Sequence, residues 1–303
     1  MFVAKYISMF QGISIQQFNK FFQNEDDCKQ YLFDLKWKDG YQCRRCGCNK
    51  SHKGRTRFHL RCQSCTYDES VTAHTMFHKL KIPLLKAFGM SFRLAVKKKG
   101  MSTTELAREY SINQKSSWLF KRKTQEAMKS SGKHLLDTKV EVDELLIGGP
   151  EKNKRGRTKG EKKLVVIAVE KVKDNQIGRA YAQTIDQASA ESFKPFFEKY
   201  IDNDNARVFT DGWRGYWPLE SEFEINQKPS NGGKGFPGLH AVIMNLKGWL
   251  RGIHHHCSAR FINGYLDEFF FRFNRRNFLT SIWHKLIDRF MINKPYSYIA
   301  NAI

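Results

Sequence analysis

No apolar run in the sequence approaches the ~18 residues that would span a bilayer, which argues against a helical membrane protein. Residues Met1 to Phe10 carry one lysine and a short apolar stretch but no small-residue cleavage site, so they do not read as a secretory signal. Acidic residues are scarce: 30 Asp and Glu stand against 52 Lys and Arg in 303 residues, a net charge of +22. That imbalance points to a polyanionic partner, most often nucleic acid. Cysteine is sparse too. Of seven cysteines, four fall in two Cys-x-x-Cys pairs, which suits a reducing compartment and a metal better than a disulfide framework. Core-forming residues are plentiful, with 41% hydrophobic residues, 24 Phe and 6 Trp, so wholesale disorder is excluded. The length allows one catalytic domain and one or two small modules.

Residues 1–37 read as an amphipathic helical segment, with Phe18, Phe21, Phe22, Cys28, Tyr31, Leu32 and Leu35 at roughly helical spacing. Over 38–80, Cys43 and Cys46 precede Cys62 and Cys65. Two residues between paired cysteines let a tight turn aim both sulfurs at one ion, and four thiolates satisfy tetrahedral zinc with no open position. The pattern predicts a structural zinc ribbon with a basic β-hairpin between the pairs. Cys48 fits the spacing less well, and Cys28 and Cys257 read as ordinary thiols. Residues 81–135 read as three helices. A helix from Pro83 precedes a short one opened by the capping pattern Ser102-Thr103-Thr104-Glu105, then a turn and a basic third helix. This is helix-turn-helix-like, with Lys121, Arg122 and Lys123 as candidate phosphate contacts, and a plain three-helix packing module is the other reading.

Residues 136–285 change character, and 286–303 read as a C-terminal tail. Strand-like segments at Thr138–Leu146, Leu164–Val172 and Arg179–Ile185 precede a helix over Ala190–Ile201. A strand over Ala206–Asp211, a possible fifth over Phe223–Gln227 and two closing helices follow. That order predicts a ribonuclease-H-like α/β fold, whose metal ligands lie on the first and fourth strands. Those strands carry Asp143 and Asp211 here, and Glu144 alternates to the opposite face from Asp143. A carboxylate in the middle of a core strand is costly unless something pairs with it, so two meeting at one point suggest a divalent-metal site. Mg²⁺ fits best, with Mn²⁺ able to substitute. The basic loop around Lys154, Arg155 and Arg157 reads as a DNA-backbone clamp. The run His254-His255-His256 reads as phosphate contact or loop packing, because adjacent side chains diverge.

These pieces carry a resemblance: the paired cysteines, Val142-Asp143-Glu144, Thr210-Asp211-Gly212 with Tyr216, Asn245-Leu246-Lys247-Gly248-Trp249-Leu250-Arg251-Gly252, and Tyr265-Leu266-Asp267-Glu268-Phe269 through Arg276. In order, they resemble bacterial insertion-sequence transposases of the DDE type with an N-terminal zinc ribbon, the ISXO-like group related to Merlin elements. The resemblance implies binding of terminal inverted repeats, then metal-dependent cleavage and strand transfer. It also implies double-stranded DNA partners (transposon ends and target), a homo-oligomer on DNA and a bacterial cytoplasmic, nucleoid-associated setting. DDE enzymes carry a third residue on a later helix, usually Glu. Asn245 holds that place here, with Arg251 about two turns on. Glu268 is the alternative, either as a metal ligand or paired with Arg272 or Arg275. Lys247 and Arg251 are candidate phosphate contacts near the scissile bond. A transposase-derived DNA-binding regulator without catalysis, which Asn245 keeps open, and a junction-resolving nuclease on the same fold are the other readings.

Overall fold

The computed structural model describes residues 9–149, 161–173, 176–229, 231–254 and 256–296. The chain divides into two compact units, Met1–Ala127 with Phe278–Ile303, and Met128–Asn277.

The first unit opens with helices α1 (Ile15–Phe21) and α2 (Glu25–Lys36). Asn24 caps α2 by accepting from the N–H groups of Asp26 and Asp27, and Asp27 accepts in return from the Asn24 N–H. Next come strands β1 (Ser51–Lys53), β2 (His59–Cys62) and β3 (Asp68–Ser70), an antiparallel sheet in that order with Ser51 opposite Cys62. Three helices follow: α3 (Leu84–Val96), α4 (Thr103–Glu109) and α5 (Gln114–Met128). The Ser102 hydroxyl accepts from the Glu105 N–H at the start of α4.

The helix-turn-helix order is present, but the basic residues assigned to its third helix are not on the surface. Lys121 is fully buried, and its ammonium donates to the Met101 carbonyl at 2.6 Å. Lys123 donates to the Met76 carbonyl at 2.8 Å, and burial lowers its pKa. Arg122 is buried beside the Trp118 ring. Lys121 and Lys123 cap loop carbonyls inside the module, which overturns the reading of the three as phosphate contacts. At the start of α5, Asn113 just before the helix and Gln114 and Lys115 within it face solvent.

The second unit opens with β4 (Lys139–Ile147), β5 (Lys163–Lys171) and β6 (Ile177–Ile185). Helix α6 (Ala190–Tyr200), β7 (Arg207–Thr210), a 3₁₀ turn over Arg214–Ser221 and β8 (Glu224–Gln227) follow. Helices α7 (Pro237–Ile253) and α8 (Ile262–Phe273) close it. The five strands lie in the order β6-β5-β4-β7-β8, the first three antiparallel and the last three parallel. This is the ribonuclease-H-like order. Residues Leu164–Val169 of β5 form an unbroken apolar run because both faces of the sheet are covered. Val166 and Ala168 join Phe193, Phe196 and Phe197 of α6, while Val165, Ile167 and Val169 join Leu239, Val242 and Leu246 of α7 and Tyr265 of α8.

The last helix, α9 (Ile282–Ile292), belongs to the first unit. Trp283 is fully buried with its ring 5.1–5.6 Å from those of Phe10, Phe18, Phe22, Tyr31 and Phe88, and its indole N–H donates to Ser91. The division expected at 285, with a tail beyond, is corrected: the second unit ends at Asn277, and residues 282–292 are a core helix.

Candidate active site

The site is built on the parallel pair β4 and β7. Val140 pairs with Val208 and Glu141 with Phe209. Carried two residues on, the same register sets Asp143 beside Asp211, just past the end of β7, on neighbouring strands about 4.8 Å apart. Asp143 is on the α7 side of the sheet, its Oδ2 3.8 Å from His240 Nε2. Glu144 takes the opposite face, where its Oε2 accepts from the Tyr216 hydroxyl at 2.9 Å. Tyr216 is fully buried and stacked on Phe193. Its phenol is held well above the ordinary range by burial first, then by Glu144, Asp143 and Asp211. The field at one hydroxyl thus registers all three carboxylates. Asp211 Oδ1 also accepts from the Trp213 N–H at 3.0 Å.

A cleft of about 620 Å³ opens at this point. Asp143, Glu144, Asp186, Trp213, His240 and Lys247 are among its walls. Lys247 is half-buried; desolvation pulls its ammonium pKa down, and Asp143 pushes it back up. An adjoining cleft of about 600 Å³ shares Lys247 and adds Lys162, Lys163, Arg251 and His256. One cleft therefore carries three acids and a single lysine, and its neighbour carries four cationic side chains against one acid, Glu161.

Residues 134–274 match the family model for the ISXO2-like transposase domain, and residues 23–68 match that for the transposase zinc-ribbon domain. Together these spans cover more than half of the chain. The chain belongs to the ISXO2-like transposases. Among solved structures it is similar to a pre-cleavage Mos1 transpososome, at 11% identity over 66% of this chain and 77% of that one, with a TM-score of 0.31. It is similar at 11% identity to the Mos1 strand transfer complex, over 69% and 78%, with a TM-score of 0.33. No curated protein matches the chain.

In this transposase-family chain the structure separates residues that sequence spacing had grouped. Asn245 is exposed and lines neither cleft. His240 and Lys247, seven residues apart, share the α7 face toward Asp143, and Asn245 lies about 140° round the helix from His240. Glu268 is fully buried on α8, with Oε1 3.6 Å from an Arg272 guanidinium nitrogen, and it lines neither cleft. Arg272 lies over the Trp249 ring, and burial lowers its pKa against the pull of Glu268. Of the two readings left open for Glu268, the geometry matches the ion pair. Arg251 and Lys247 line the basic cleft. His254 stacks on Tyr265 at 3.8 Å. Lys154, Arg155 and Arg157 lie outside the described residues, as does His255.

Sequence reasoning missed His240 and Asp186. The i, i+7 spacing of His240 with Lys247 was the available signal for the first, and an acid directly after β6 for the second.

In the ribbon, the four sulfurs of Cys43, Cys46, Cys62 and Cys65 all lie within 4.8 Å of one another, with Cys43–Cys65 and Cys46–Cys62 at 3.5 Å. Tetrahedral zinc with Zn–S near 2.3 Å sets sulfurs about 3.8 Å apart, so the set fits zinc. Burial raises the Cys43 thiol pKa, but backbone N–H groups of Cys46 and Arg45 outweigh it and bring it to about 6. Cys48 stays outside the cluster and interacts with Lys50. Cys28 is buried, and desolvation pushes its thiol up to about 12. No helix among the described residues is long and apolar enough to cross a membrane.

Proposed function

We propose that this transposase cuts and joins DNA at the ends of an insertion sequence, with Asp143 and Asp211 holding divalent metal. The observation that carries the reading is the β4–β7 register, which, extended two residues, brings Asp143 on the wall of an open cleft alongside Asp211. Oxygen donors of this kind suit Mg²⁺, or Mn²⁺ in its place. Such an ion, when bound, would activate a water or 3′-hydroxyl and offset charge on the leaving oxygen.

The chain's own residues divide the remaining work. Lys247 stands between the two clefts and would take a non-bridging phosphate oxygen beside the acids. Lys162, Lys163, Arg251 and His256 would hold the backbone of the strand leading to it. Tyr216 fixes Glu144 by its hydrogen bond, so that Asp143, one residue back on a stiff strand, keeps its aim. In the first unit, exposed Arg45, Lys53, Arg55 and Arg57 of the ribbon and Lys115 of α5 would bind the terminal repeats. Both ends must be held for joining, so the active form on DNA would be an oligomer.

The test is cleavage and joining of DNA carrying the element's own ends, with Mg²⁺, by wild type and Asp143→Asn. Loss of cleavage with end binding retained is the expected result. A wild type that binds ends but never cuts, under Mg²⁺ or Mn²⁺, would make the chain a binding protein on a silent nuclease fold.

A further inference from the structure

We propose that His240 is a nitrogen ligand of the divalent ion, completing with Asp143 and Asp211 a site of two carboxylates and one imidazole. This rests on the metal reading above and deepens it.

Four observations carry it. His240 Nε2 lies 3.8 Å from Asp143 Oδ2. That is too long for a hydrogen bond, yet two donors each about 2.1 Å from one ion can stand up to about 4.2 Å apart. The same Nε2 is buried and has no hydrogen-bond partner. A buried imidazole nitrogen left unpaired is costly, and such atoms call for a ligand or a functional reason. The ring is also held from behind. Gly233 sits at φ +90°, and a Cβ there would come within 3.0 Å of the imidazole Cγ, Cδ2 and Nε2, so the glycine lets the main chain press directly on the ring. Finally, no competing acid reaches this wall from α7 or α8: Asn245 is turned away, and Glu268 is engaged with Arg272.

His240 and Asp143 form the preset half of the site, and Asp211 joins by turning its side chain. Among the described residues, only the four cysteines bring three or more such donors within 4.8 Å of one another. An imidazole among the ligands lowers the advantage of Mg²⁺, which demands oxygen donors and sheds water reluctantly, and favours Mn²⁺. The site should therefore bind Mn²⁺ more tightly than Mg²⁺.

The experiment uses the full chain with its ribbon zinc-loaded and Mn²⁺ as the probe, without DNA. Bound Mn²⁺ should show electron-spin-echo modulation from a directly bonded ¹⁴N. His240→Gln should remove that modulation and weaken Mn²⁺ binding at least about tenfold, the scale on which even supporting groups affect metal affinity. Asp143→Asn should weaken it as well. Binding that depends on Asp143 but shows no ¹⁴N coupling, or is unmoved by His240→Gln, overturns the role of His240 alone. Binding indifferent to Asp143→Asn overturns the metal site itself.

Discussion

Asp143 and Glu268 are both acids in the second unit, and their surroundings give them opposite tasks. Asp143 is partly exposed in a cleft, facing His240 and Lys247. Its replacement by Asn should leave folding intact and slow strand cleavage by about 10³-fold or more, because charge stabilisation by a bound ion is worth several kcal/mol. Single-turnover cleavage of end DNA measures this. Asn245→Ala, at an exposed position outside both clefts, should change the same rate less than about threefold, on the order of 0.6 kcal/mol. Glu268→Gln should show its effect in stability. Removing the fully buried partner of this pair withdraws the charge that balances the largely buried Arg272 guanidinium, at a cost of about 3–5 kcal/mol. Chemical denaturation should show that loss.

At the scale of the element, the ribbon and α9 rest on different supports. The ribbon's apolar cluster is small, with Tyr41, Cys43 and Cys62 as its buried members, so metal ligation takes the place of a core. Removing zinc with a chelator, or Cys62→Ser, should unfold residues 38–80, and zinc release followed with a dye should track the loss of end binding. Helix α9 is held by ring packing and by His284, whose Nδ1 lies 2.6 Å from the Tyr31 hydroxyl oxygen. Burial lowers the pKa of His284 below the ordinary 6.5, against an upward pull from Asp288. The unfolded chain therefore takes up this proton first as pH falls. Stability should decline below pH 6.5 and level off once the folded histidine also protonates. Melting temperatures from pH 7.5 downward should show the decline in wild type and a smaller one in His284→Gln.

On the scale of the whole molecule, the chain leaves the first unit at Met128, builds the second, and returns at Phe278 to finish the first. The first unit cannot be completed until the C-terminal segment has been made. Ending the chain at Asn277 should leave the second unit folded and strip the first of Trp283 and Phe290, both fully buried. Limited proteolysis should then yield a protected fragment near 128–277 and rapid cleavage of the ribbon and helices. In the full chain, Trp283→Ala should cost about 3–5 kcal/mol.

The sequence by itself determined the strand order, the ribbon and the acids carried on β4 and just past β7. Each rests on a local signal: apolar runs of strand length, paired cysteines, and an acid inside or just past an apolar strand. It did not reveal which face of α7 meets the sheet, because Asn245 and His240 are equally polar and equally helical by local criteria. Packing of Leu239, Val242, Ile243 and Leu246 against the sheet sets that rotation, brings His240 to Asp143 and turns Asn245 out. Nor could composition tell a buried lysine from an exposed one. Lys121 looks like a DNA contact until the Met101 carbonyl is found at its tip, a partner twenty residues away that only the folded chain supplies. The destination of α9 was hidden for the same reason, since its partners, from Phe10 to Ala127, lie more than 150 residues before it. Local pattern states what each segment can form, and contacts between distant segments decide which faces meet.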